Sequence, residues 1–180
     1  MPHTTEQLRG GARDFCSVLD QVPAAFMWEF YFSSRIAAGS VGPNALEALR
    51  NATIESSLLS IRLLNDFFAP RRYPTDIRAE DYPSYASAGQ FLSSDEARAL
   101  NKHLAHLTTE RADQLSKRWS IYDVTRRCHD AAVTFIRFLA SPHGRQYRPD
   151  MDLDSRIQTC ERIETDMRRF LNQPKKTSIR

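Results

Sequence analysis

Apolar residues return along this chain at the helical interval of about 3.6 residues, and no segment shows the two-residue alternation of a half-buried strand. Proline and glycine fall mainly at the joints between such stretches. That pattern restricts the fold to helix packed on helix. A chain of 180 residues, 41% hydrophobic and 26% charged, has enough apolar surface for one real core. We read residues 1–174 as a single all-α domain, a bundle of five to six helices, and 175–180 as a frayed basic tail.

The joints set the helices. The first begins after Thr4 or Thr5 with Glu6 in its first turn, and buries Leu8, Phe15, Val18 and Leu19. Pro23 interrupts it, and the dense aromatic run from Phe26 to Phe32 reads as core or dimer seam rather than a ligand cage. Pro43-Asn44 opens a long greasy helix to about Phe68, ended by Pro70. Along it Asn51, Glu55, Arg62 and Asp66 form one polar stripe, of which Glu55, Arg62 and Asp66 read as a buried ion network rather than a site, one that in a bundle could face the histidine-bearing helix and orient it. Residues 70–92 carry three prolines, and their aromatics imply a long connection that packs down. Ser93 and Glu96 form a capping box that starts a third helix, running to about Leu115. A fourth runs from about Tyr122 to Leu139, and a fifth starts at Asp152 or Asp154.

Charge and cysteines narrow the class. A net charge of +3 is too mild to demand nucleic acid and does not exclude it. Cys16, Cys128 and Cys160 are odd in number and unpaired in motif, which argues against a disulfide framework and for a reducing compartment. The start of the chain lacks a basic-then-apolar leader, and the run from Val22 to Phe32 is too short to span a bilayer. A cytoplasmic protein without a membrane partner is the expectation.

Chemically able side chains converge only on the third helix. Arg98, Asn101, His103 and His106 fall within nine residues. With Leu100 on the core side, Ala99, His103, His106 and Glu110 share a neighbouring stripe, while Arg98 lies away from the core and Asn101 opposite the histidines. Two imidazoles on one face can act as acid and base, bind a metal with ligands from elsewhere, or sit at a boundary bonded to carboxylates such as Glu110. No third ligand is spaced with the pair. His129, beside Cys128, offers one only through tertiary contact.

The string Leu100-Asn-Lys-His-Leu-Ala-His106, following a greasy helix, resembles the HEPN superfamily of helical-bundle proteins. Its hallmark is an arginine, four to six intervening residues, then a histidine. The likeness spans about residues 44–140. Arg98 with His103 meets the formal spacing, whereas local texture places the functional histidine at His106 with Asn101 in the arginine position. The resemblance implies RNA handling in a bacterial conflict system, toxin–antitoxin or anti-phage. The protein would be either a metal-independent endoribonuclease using His106, His103, Arg98 and Asn101 or an inactive RNA-binding relative. It implies no cofactor, a homodimer formed across the motif helices, and an antitoxin or other partner protein. Glu110, Glu55, Arg62 and Asp66 would be supporting groups. Two readings of other classes stand beside it: a non-catalytic interaction protein dimerising through the motif helix, and a metal-binding bundle with His103 and His106 as ligands.

Arg71-Arg72-Tyr73 and Lys117-Arg118-Trp119 set cations beside aromatics, which suits either solvated loop edges or a surface for single-stranded nucleic acid. Arg126-Arg127 and Arg168-Arg169 read as outer helix faces, and Cys128 as an inert packing residue.

Overall fold

The computed structural model describes residues 2–23, 43–87, 89–105, 121–150 and 152–171. Five α-helices lie among them: α1 (Thr5–Leu19), α2 (Pro43–Phe67), α3 (Ser94–Ala105), α4 (Ile121–Ala140) and α5 (Leu153–Leu171). Two short 3-10 turns, Ala79–Asp81 and Arg145–Tyr147, punctuate the connections, and the described residues contain no strand. The all-α bundle expected from the periodicity is what forms. None of these helices is long and apolar enough to cross a membrane. The aromatic run 26–32, the 117–119 triplet and the 175–180 tail lie outside the described residues.

Local chemistry starts each helix where the sequence signals it. Thr4 caps α1 reciprocally with Gln7: the Gln7 N–H donates to Thr4 Oγ1 at 3.2 Å, and the Thr4 N–H donates to Gln7 Oε1 at 2.8 Å. Asp152 caps α5, accepting from the Ser155 N–H at 3.0 Å. Gly144 closes the α4–α5 connection by close approach. A Cβ there would lie 2.0 Å from the Phe138 carbonyl oxygen, so only glycine fits without moving backbone.

The core is aromatic at its centre. Phe15 of α1, Phe67 of α2 and Phe135 of α4 meet pairwise at ring separations of 4.7 to 4.9 Å, and Tyr82 adds a ring 4.9 Å from Phe135. Around them α1 packs on α2, α2 on α3 and α4, and α4 on α5. On α1, Leu8, Phe15 and Leu19 are buried as expected and Val18 is partly buried against them; on α4, Val124, Ala132, Phe135, Ile136 and Leu139 are buried.

The connection between α2 and α3 is strapped down, as its aromatics implied. Tyr82 is fully buried and its hydroxyl donates to the Leu8 carbonyl at 2.7 Å. The Leu92 N–H donates to Asn65 Oδ1 at 2.9 Å, giving that buried amide its partner. Arg78 donates to the Asp66 carbonyl and holds Asp76 at 2.6 Å, while His3 Nε2 sits 2.9 Å from the Asp76 carbonyl oxygen.

Candidate functional site

Helix α3 is oriented by two anchors. Leu100, fully buried, fixes which side faces the core. Glu96 does two jobs at the first turn. It accepts from the Ser93 N–H at 2.8 Å to complete the capping box, and it takes the Arg127 guanidinium of α4 at 2.5 and 3.1 Å. Arg127 also donates to the Phe91 carbonyl at 2.9 Å and lies 3.1 Å from the Asp123 carboxylate. The fork of hydrogen bonds from Arg127 holds the Glu96 carboxyl down to about 2, well below its ordinary 4.5. Rotation of α3 about its axis is thereby fixed.

With that orientation Arg98 is 69% exposed, and Asn101 is exposed as well. Arg98 pairs with Asp95 at 3.3 Å, but that carboxylate is itself open to water, so the pair holds the guanidinium only weakly. A helix turns about 100° per residue, so position 103 lies about 140° round the axis from Arg98. One copy of α3 therefore does not present Arg98 and His103 on one face. The side chain of His103, and all of His106 and Glu110, lie outside the described residues.

The polar stripe of α2 differs from the expectation. Glu55 is exposed, and Arg62 and Asp66, 41% and 37% exposed, approach only to 4.0 Å. The physical reason lies in the neighbours: Leu59 and Leu63 of the same greasy helix are 46% and 47% exposed, so this side of α2 faces outward. The reading of Glu55, Arg62 and Asp66 as a buried ion network is corrected to a loosely paired surface.

Arg127 is a second correction. It is no outer-face residue: it is the bolt between α4 and α3, whereas Arg126 pairs on the surface with Asp123 at 3.2 Å and Asp130 at 3.1 Å. Its place was readable, since it follows the buried Val124 by three and precedes the half-buried Ala131 by four, the flank of the core stripe. Arg168 and Arg169 are exposed, as expected.

Sequence reasoning passed over the environment of His129. Thr125, His129, Ala132 and Ile136 form one buried stripe of α4, which alone predicts a buried imidazole. Its Nδ1 has no hydrogen-bond partner among the described residues. The ring lines a cavity of about 90 Å³ walled by Leu19, Pro23, Cys160 and Ile163 and bordered by the Arg156–Asp20 ion pair. Burial pushes its pKa down to about 4, opposed by the Glu164 carboxylate. The three cysteines are unpaired and buried, and burial pushes Cys16 and Cys160 up to about 11 and Cys128 well above its ordinary value. Protonated thiols of this kind pack and do not attack. Among the described residues no group of three His, Cys, Asp or Glu side chains is placed to hold a metal ion. No protein-family model, curated protein or solved structure matches this chain.

Proposed function

We propose that this protein is a HEPN-like RNA-binding protein and metal-independent endoribonuclease of a bacterial conflict system, working as a homodimer. The observation that carries the reading is the orientation of α3. The Glu96–Arg127 bolt and the buried Leu100 leave Arg98 and Asn101 facing water, with a weakly held guanidinium ready for a phosphate. A phosphodiester lying there meets Arg98 and Asn101 as groups that stabilise charge building on the phosphorane. His106 and His103 handle the protons. One takes the proton of the RNA 2′-OH as its oxygen attacks phosphorus, and the other protonates the departing 5′-oxygen. No metal enters. The angular offset of about 140° between positions 98 and 103 supports the dimer, because a second α3 supplies the missing face to the same phosphate.

The test is cleavage of mixed RNA by the pure protein in EDTA. The expected outcome is cleavage by the wild type, with His106→Ala and Arg98→Ala each slowed about 100-fold or more while their melting temperatures stay put. Cleavage by His106→Ala at the wild-type rate ends the enzyme reading.

A second reading draws on α2. Leu59 and Leu63, one turn apart and half exposed on α2, suit a non-catalytic interaction protein that dimerises or captures a partner protein. Under it the chain dimerises, binds no RNA, and loses self-association on Leu59→Glu.

A further inference from the structure

Three arginines and three acids sit in the segment from Arg71 to Asp81, and the fold gives them different fates. Arg71 is spent internally, its guanidinium on Asp81 and its backbone N–H donating to Glu80 at 3.1 Å. Arg78 holds Asp76, and its own N–H donates to Asp81 at 2.8 Å. Every acid of the segment is thus engaged, and two of the three cations. Arg72 is exposed and has no hydrogen-bond or ion-pair partner among the described residues.

Tyr73, the next residue, is treated unlike the other aromatics of the same connection. Tyr82, Tyr85 and Phe91 all make ring contacts in the core, whereas Tyr73 stands 66% exposed. Its backbone is nonetheless braced: the Asp76 N–H donates to the Tyr73 carbonyl at 3.1 Å, closing a turn that the Arg78–Asp76 pair locks from the other side. An exposed planar ring on a hydrogen-bonded turn, following in sequence an exposed arginine that has no partner among the described residues, is a combination that can stack a base and pair its phosphate.

We propose that Arg72 and Tyr73 form a docking platform for single-stranded RNA, one unpaired base stacking on Tyr73 and the adjoining phosphate pairing with Arg72. The proposal rests on the RNA reading of α3 and specifies its substrate class. A duplex keeps its bases stacked inside the helix and offers only phosphates, so the ring discriminates in favour of single strands. An acidic peptide would satisfy Arg72 and leave the ring largely unused, which makes it the poorer occupant.

The test is fluorescence anisotropy of a labelled, 2′-O-methylated oligonucleotide, resistant to cleavage, against the full chain in EDTA. Wild type is expected to bind the single strand, Tyr73→Ala to weaken that binding about ten-fold, and Tyr73→Phe to stay within about two-fold. Arg72→Ala is expected to lower the salt dependence by about one phosphate contact. Affinity for a duplex of the same sequence should not change on Tyr73→Ala, nor should the melting temperature, because the ring buries little. Tyr73→Ala binding the single strand as wild type does overturns the platform. If Arg98→Ala weakens binding while Tyr73→Ala does not, the platform falls and the α3 reading stands. If wild type binds neither oligonucleotide, both fall together.

Discussion

The clearest single-residue consequence is at His129, where a buried imidazole whose Nδ1 has no partner among the described residues shares a cavity wall with Cys160 and Ile163. Its folded pKa of about 4 lies below the ordinary 6.5, so the unfolded chain binds more protons between those values. Stability is therefore whole above about pH 6.5 and drains as pH falls toward 4, by about 3 kcal/mol across the window. Denaturant unfolding at pH 7 and pH 4.5 checks this: wild type should lose most of that amount, and His129→Phe, which cannot titrate, should lose much less. Equal acid loss in both proteins would place the sensitivity elsewhere. Arg127 teaches the same lesson at residue scale, because a charged residue on the flank of a core stripe is positioned by its partner more than by its own hydropathy. That partner, Glu96, sits on another helix, so the local spacing could place Arg127 on the flank of the core stripe but could not name what holds it there.

Among the elements, α3 matters most, and Glu96 is the hinge of its placement. The capping box of Ser93 and Glu96 was legible because it is a local pattern of four residues; the use of the same carboxylate as an inter-helix ion pair was not. Glu96→Gln keeps the cap geometry and discards the charge, so it should cost about 1–2 kcal/mol at pH 7 and raise hydrogen exchange in α3 ahead of α4. The depressed carboxyl contributes stability that is present above about pH 4.5 and lost as pH falls toward 2, a window below that of His129. An unchanged α3 exchange rate in Glu96→Gln would remove the bolt from the account. Helices α1, α2, α4 and α5 were legible for a simpler reason: caps at Thr4 and Asp152, prolines at 43 and 70, and one strong apolar stripe each. The α2 polar stripe misled because its greasy flank was taken for core. Periodicity shows which residues share a face and not whether another element covers it, and Leu59 and Leu63 stand half exposed.

At the scale of the whole molecule, the bundle is a scaffold that holds one helix by a bolt and a buried leucine and braces one loop by paired charges. Arg98 with Asn101, and Arg72 with Tyr73, are among the groups it leaves facing water. Both lie toward the α2–α3 connection, before and after the strapped segment, and both suit a polyanion carrying bases. The central claim is that RNA is cut here by its own 2′-OH, and the chemistry of the new ends tests it most directly. Incubated with the pure chain in EDTA, an RNA oligonucleotide should yield fragments ending in a 2′,3′-cyclic phosphate and a free 5′-OH, and the same oligonucleotide with a single 2′-deoxy residue at the cut site should survive there. RNA left intact, or a deoxy linkage cut as readily as a ribo one, would contradict the account.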